Sequence, residues 1–223
     1  MEYAISDIHG NSLTFRYMVE EKIQLKKEDT LYLLGDYIDR GPDSKGVIDY
    51  IFELQAAGFR VLTLRGNHEQ LLIDSMEDSD SYALWVNNGG VQTMQSFQIK
   101  TFTELEQKYL DFFMGLVYYV ETEHYFLVHA GFNFNRNDFL EDTYSMLWIR
   151  HWHHSLDKSL LNGKTIIHGH TPISLDRMKE MAKFQEYPVL DIDGGCFMKR
   201  NGYGYLCAYN LTTRELLYQS RLD

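Results

Sequence analysis

Basic residues are scarce in this 223-residue chain: 21 Lys and Arg stand against 32 Asp and Glu, a formal net charge of −11 with neutral histidines. A general binder of nucleic acid or of anionic membranes carries a basic surface, so the deficit argues against both partners. It does not forbid an anionic substrate at a site that brings its own cations. Cysteine is scarcer still. The two present, Cys196 and Cys207, lie in the apolar stretches GGCFM and YLCAY; they read as buried reduced thiols and suit a reducing compartment. Also missing is any apolar run near the roughly eighteen residues needed to cross a bilayer. The opening MEYAI lacks a basic start and the first chemical motif begins at Ser6, so no signal peptide and a cytoplasmic location are expected. What is plentiful argues against disorder: 16 Tyr and 13 Phe, within a hydrophobic fraction of 44%, are enough for a core without disulfide support.

The first seventy residues alternate. Apolar tripeptides to pentapeptides at Tyr3–Ile5, Thr30–Leu34 and Arg60–Leu64 read as strands. Helical spacing falls between them, at Ser12–Lys22 and at Lys45–Ala57, where Val47, Ile48, Ile51, Phe52 and Leu54 point inward. Such alternation with short connections predicts a parallel sheet with right-handed crossovers. Residues 69–114 read as helical, broken by the acidic EDSDS and by NNGG, which should end one helix and turn into the next. Strands resume at Val117–Thr122 and Tyr125–Val128. A helical stretch rich in Trp and His follows, then strands at Thr165–His168, Val189–Ile192, Tyr203–Asn210 and Glu215–Ser220, the last two joined through NLTTR. With no repeat, linker or low-complexity segment, one domain over residues 1–223 with two sheets is expected.

Each early strand runs into a polar motif: SDIHGN, GDYIDRG, RGNHE, LVHAG and IIHGHTP. A lone D-x-H is weak, but Asp7, His9, Asp36, Asn67, His129 and His170 form a series, each behind an apolar strand and beside a glycine that lets backbones crowd together. Ligands of open α/β sheets bind outside the carboxyl ends of the strands, where these residues fall. Two carboxylates, three imidazoles and an amide oxygen suit Mn²⁺, Fe or Zn²⁺ rather than a soft, thiolate-bound metal. Six such residues exceed the need of one tetrahedral ion. Two ions sharing a bridging carboxylate, about 3.5–4 Å apart, account for the number.

These motifs, in this order over residues 6 to 170, resemble the phosphoprotein phosphatase family of metallophosphoesterases in its compact bacterial and phage form. The resemblance implies an αββα sandwich, that is, an α/β fold of two mixed sheets flanked by helices, with the site at the strand ends. It implies Asp7, His9 and Asp36 as ligands of one divalent ion and Asp36, Asn67, His129 and His170 as ligands of the other, with Mn²⁺ the expected metal. In HGH the family's ligand is the histidine after glycine, so His170 is chosen over His168, which is left a packed imidazole. Two further implications are His68 as general acid with Asp39 orienting it, and Arg40, Asn67 and Arg150 on the phosphate. Ser6 departs from the family's first glycine, a small-for-small change.

Bound ions would lower the pKa of a water and clamp phosphate oxygens, so an acidic protein would hold a locally cationic pocket. A leaving alkoxide would still need a proton. The expected function is phosphomonoester hydrolysis on phosphoserine or phosphothreonine, with phosphotyrosine also open, in a protein or peptide. The nearest rival is a bis(nucleosyl) tetraphosphate hydrolase of the same superfamily. Such relatives tend to lack the second aspartate of G-D-x-x-D-R-G and to carry G-N-H-D, whereas this chain has Asp39 and Glu69. A non-catalytic scaffold on this fold would have lost ligands, and none is missing. The tract HWHH at 151–154 has a metal-like composition, but helical spacing brings no three imidazoles together, so a rim patch is expected. Glu69 is expected to stabilise a helix start, and SYALWVNNGGVQT to be either substrate rim or a plain helix–turn–helix.

Overall fold

Three tetrapeptide strands near the start of the chain lie side by side in parallel: β1 (Glu2–Ile5), β2 (Thr30–Leu33) and β3 (Arg60–Thr63), in the register Tyr3↔Leu31↔Val61. They belong to a computed structural model that describes every residue except 185 and 186. Side chains alternate across each strand, and the burial follows that period. Tyr3, Ile5, Leu31 and Leu33 face the helices α1 (Ser12–Tyr17) and α2 (Ser44–Ala56), packing on Phe15, Val47, Ile48 and Ile51. Ala4, Tyr32 and Leu34 face the other way, into a second apolar layer. Asp43 caps α2 through Gly46 N–H, at 2.9 Å.

That second layer is the inner face of another sheet, built from β4 (Tyr119–Glu121), β5 (Tyr125–Val128), β6 (Thr165–His168) and β7 (Val189–Asp191) in that spatial order. Tyr125, Leu127, Ile167 and Leu190 meet the first sheet. Phe126, Val128, Ile166 and Val189 point outward onto Phe132, Met146 and Trp152. The last strands, β8 (Tyr205–Asn210) and β9 (Glu215–Ser220), return to the first sheet, β8 pairing antiparallel with β1, for the order β3-β2-β1-β8-β9. Helices on both outer faces complete an α/β fold of two mixed sheets flanked by helices. Between β3 and β4 run α3 (Asn67–Asp74), α4 (Ser79–Trp85), α5 (Val91–Phe97) and α6 (Gln107–Met114); α7 (Thr143–Trp148) and α8 (Leu175–Lys183) belong to the second half.

Some elements differ from their sequence expectation. The helix expected over 12–22 is α-helical only to Tyr17, then widens into π-type turns over Met18–Ile23 and stops at Gln24, φ 52°. The strand expected from Val117 begins at Tyr119, because Val117 bridges Leu64 at the edge of the first sheet before the chain crosses to the second. The Trp- and His-rich stretch is not one helix. α7 stops at Trp148 with Ile149 extended, and after His151, at φ 55°, two short 3₁₀ turns follow at Trp152–Ser155 and Lys158–Leu161. Gly204, at φ 82°, delays β8 to Tyr205. NNGG does turn one helix into the next, with Gly89 at φ 118°, and Asn210 Oδ1 holds the β8–β9 turn by accepting from Thr212 and Thr213 N–H. Among the described residues no helix is long and apolar enough to cross a membrane.

Candidate metal centre

The ends of β1, β2, β3, β5 and β6 converge where the two sheets meet. Asp7 and His9 follow β1, Asp36 follows β2, Asn67 and His68 open α3 just beyond β3, His129 follows β5 and His170 follows β6. None of these residues is more than 5% exposed. The turns are tight enough that Asp7, His9, Asp36, Asp39, Arg40 and His170 all sit in left-handed backbone, with φ from 43° to 73°, a conformation that non-glycine residues adopt rarely and that gathers at functional sites. Crowding explains two glycines. Gly10, at φ 63°, lies against the backbone of Gly41, and a Cβ on Gly169 would overlap Ser6 Oγ and the Asp7 carboxylate.

Asp36 is the centre. One carboxylate oxygen lies 3.4 Å from His129 Nε2, and the other lies 3.5 Å from His9 Nε2 and 4.0 Å from His68 Nε2. Two groups of donor atoms result, His9–Asp36–His68 and Asp36–His129–His170, and either could hold a metal ion. Asn67 Oδ1 joins the second, 3.0 Å from His129 Nε2 and 2.8 Å from His170 Nδ1. Asp7 stands beside them, its carboxylate accepting the Ser6 hydroxyl and the His170 backbone N–H at 3.1 and 3.3 Å.

The donor chemistry fits cations. His9 Nδ1–H donates to Ile38 O and His129 Nδ1–H to Leu34 O, so both Nε2 atoms turn a lone pair inward. In the second group the His129 Nε2 lone pair therefore faces two oxygens, Asn67 Oδ1 at 3.0 Å and an Asp36 oxygen at 3.4 Å, an arrangement that a cation between them would relieve. At His9 a cation already plays that part, for Arg40 donates to Nε2 across 2.9 Å. Burial, and then the Asp7 carboxylate, pushes Asp36 well above the usual carboxylate range. Burial holds His9 and His129 below theirs, which keeps both imidazoles neutral and able to bind a metal.

Beside this cluster, His68 and Asp39 form a buried dyad, Nδ1 to Oδ2 at 2.7 Å, both fully buried. The second Asp39 oxygen accepts from Thr93 Oγ1 at 2.6 Å and Trp85 Nε1 at 3.2 Å. Burial pushes Asp39 up to about 7 against those two bonds, and burial, with the Arg40 charge, pushes His68 down. Among the described residues His68 Nε2 has no hydrogen-bond partner. Trp85 and Thr93 are thus positioning residues that no local motif marks. They come from SYALWVNNGGVQT, which is a helix–turn–helix that also backs Asp39.

Glu69 does more than start a helix. It accepts four backbone N–H groups, from Asp36 (2.9 Å), Tyr37 (2.8 Å), Ile38 (3.3 Å) and Gly66 (3.0 Å), and so ties the GDYIDRG loop to the RGNHE loop. Burial and Asp36 push it up to about 8, yet all four contacts are donated to it, as a carboxylate receives them. Phe197 is another residue that the sequence did not flag: it lies 4.4 Å beneath the Arg40 guanidinium and 4.9 Å from the His9 ring.

Arg150 is exposed beyond α7, its guanidinium donating to Thr171 Oγ1 at 2.9 Å, next to His170. His168 is outside both donor groups. Its ring faces Trp152 and His153 at 5.4 Å from each, whereas His170 faces His129 at 5.0 Å. Of the 151–154 tract, Trp152 is buried, His153 stacks on it at 4.5 Å, and His151 and His154 are exposed.

Residues 3–208 match the profile of the family described as calcineurin-like phosphoesterase. A symmetrical bis(5'-nucleosyl)-tetraphosphatase of Buchnera aphidicola is 42% identical over 71 residues, 32% of this chain and 25% of that protein. Serine/threonine-protein phosphatase 1 of Salmonella typhimurium is 36% identical over 88 residues, 40% of this chain and 38% of that protein. The chain thus matches well under half the length of either relative. Its fold superposes on a protein serine/threonine phosphatase of Saccharomyces cerevisiae with a TM-score of 0.66 at 14% identity, covering 100% of this chain and 80% of that one. With its two-sheet sandwich and strand-end cluster, this chain belongs to the calcineurin-like phosphoesterase family.

Proposed function

We propose that this chain is a metal-dependent phosphomonoesterase whose substrates are phosphoserine and phosphothreonine in proteins or peptides. Asp7, His9 and Asp36 would hold one divalent ion and Asp36, Asn67, His129 and His170 the other, with Mn²⁺ the metal favoured by this oxygen and nitrogen set and Fe or Zn²⁺ also suited. Such ions, when bound, activate water and offset phosphate charge. The chain's own side chains do the rest. Arg40 presents a planar fork to the phosphate, steadied from below by Phe197, and Arg150 adds a second guanidinium from the rim. His68, fixed through Nδ1 by Asp39, turns Nε2 toward the cluster; with two protons on the pair, one in the Asp39–Nδ1 bond and one on Nε2, it gives the Nε2 proton to the leaving oxygen and keeps the other.

The observation that carries this reading is the buried Asp39–His68 pair. A serine or threonine alkoxide leaves badly without a proton, so an oriented acid is worth building for that reaction. The second reading, cleavage of a bis(nucleosyl) tetraphosphate, draws on the name of the Buchnera relative, but a departing phosphate gains little from such an acid.

The test compares kcat of His68→Asn with the unsubstituted protein on a phosphoserine peptide and on p-nitrophenyl phosphate, in Mn²⁺ and with metal content measured. The loss expected on the peptide is about 10²–10⁴-fold, and clearly smaller on p-nitrophenyl phosphate, whose leaving phenolate is stabilised by its ring. Equal losses at unchanged metal content would place the proton donor elsewhere. Parallel turnover of a phosphotyrosine peptide and of diadenosine tetraphosphate separates the two substrate readings.

A further inference from the structure

His168 closes β6, and two residues later His170 enters the metal cluster, but the two rings serve different spaces. His168 forms part of the floor of an adjoining cavity of about 360 Å³, within the roughly 300–1,000 Å³ usual for ligand sites. Its Nδ1 lies 3.0 Å from Gly169 O. A carbonyl only accepts, so Nδ1 carries the hydrogen and Nε2 presents a lone pair. The residue is 2% exposed, and among the described residues Nε2 has no hydrogen-bond partner. Asp191, paired with His168 across β6 and β7 and 4% exposed, also lines the cavity. One of its oxygens accepts from Asp193 N–H at 2.9 Å.

The floor therefore offers acceptors. The walls carry Arg150 and Arg177. A group that settles there must donate a hydrogen bond to His168 Nε2, which an anion without a hydrogen cannot do, and it must tolerate two guanidinium charges, which excludes a cation. A neutral hydroxyl or amide satisfies both. The cavity is not a closed metabolite pouch. His151, His153, Arg177 and Met181 belong equally to a second hollow, of about 600 Å³, that leads on to Phe184 and Tyr187. Space that lies beside the cluster, at Ala130 and Thr171, and runs on into a groove suits an extended chain.

Resting on the phosphoprotein reading, we propose that this cavity is a specificity pocket for a residue flanking the phosphorylated one. It takes a short neutral donor side chain (Ser, Thr, Asn or Gln) with His168 Nε2 and Asp191 as the acceptors. The test is a panel of phosphoserine peptides whose neighbours on either side are Ala, Asn, Asp or Lys, turned over by the Mn²⁺-loaded protein, with p-nitrophenyl phosphate as the substrate that cannot reach the pocket. Asn at one neighbour should raise kcat/KM about tenfold over Ala, the size of one hydrogen bond near the upper end of its usual range, with Asp and Lys below Asn. His168→Phe, which fills the same space without the lone pair, should abolish that gain and leave p-nitrophenyl phosphate turnover unchanged. Equal rates on Ala- and Asn-flanked peptides, or a gain that survives His168→Phe, would overturn the pocket assignment alone. Inert peptides beside active hydrolysis of p-nitrophenyl phosphate would overturn the phosphoprotein reading as well.

Discussion

Arg40 is held in two ways that do not compete with an ion at His9: by left-handed backbone at φ 68° and by the Phe197 ring below it. Its guanidinium is thus aimed before any substrate arrives. Arg40→Ala should lower kcat/KM by about 10–100-fold, the worth of a charge-assisted hydrogen bond, and by the same factor on a phosphoserine peptide as on p-nitrophenyl phosphate, since both present the same phosphate. Steady-state kinetics on the two substrates checks this; a loss confined to the peptide would remove Arg40 from the phosphate. At this scale the sequence was most legible where spacing is local. Asp7 with His9, Asp36 with Asp39 and Arg40, and Asn67 with His68 announce themselves within a few residues. Phe197, Trp85 and Thr93 did not, because a hydrophobe or threonine that meets its partner only through folding carries no local mark.

Among the elements, α7 ties the second sheet to the rim. Its N-cap Asp142 accepts Ser145 N–H at 3.2 Å and Ser145 Oγ at 2.8 Å, with Asn133 at 3.3 Å, and Ala130, next to His129, donates its N–H to Met146 O in the same helix. Losing the cap in Asp142→Ala should destabilise the fold by about 1 kcal/mol, read as a lower urea midpoint at unchanged slope. Burial alone would raise the Asp142 pKa, but the Ser145 and Asn133 hydrogen bonds and the Arg136 charge outweigh it and bring it below the ordinary value. A depressed folded pKa means that the stabilisation is complete above the unfolded value of about 3.9. It fades as pH falls through the lower folded value, so the variant and the parent should converge in stability on the acid side. A difference that persists unchanged into that range would refute the ionic character of the cap. The alternation of strands and helices was readable because burial on one face leaves a period in the sequence. The 3₁₀ turns after Trp148 and the π-type turns after Tyr17 were not, since they keep helical composition while changing only the hydrogen-bond reach.

Taken whole, the molecule puts its cluster on the seam between two sheets. Asp7 and Asp36 come from one, His129 and His170 from the other. The return of β8 to lie antiparallel against β1, more than 200 positions apart at Tyr3↔Asn210, had no local signature, although its strand character did. An ion held across the seam would join the sheets, so it should stabilise the whole fold. At free metal 100-fold above Kd the gain is about 2.7 kcal/mol, or roughly 5–10 °C in Tm for a chain of this size. Thermal unfolding with Mn²⁺ and with a chelator measures it, and coincident curves would mean that no ion is bound there. Asp36→Asn should remove most of the shift, because both donor groups share that carboxylate.

The Glu69 carboxylate gathers the amides of Asp36, Tyr37, Ile38 and Gly66 onto one pair of oxygens. Surface loops ordinarily trade their amide hydrogens for deuterium quickly, whereas these four can be released only by withdrawing a single buried side chain. They should therefore exchange slowly and at a common rate, like a strand core rather than like turns. In Glu69→Gln, where an amide nitrogen replaces one of the two acceptors, part of that set should become fast together, so that two loops thirty residues apart in the chain open as one unit.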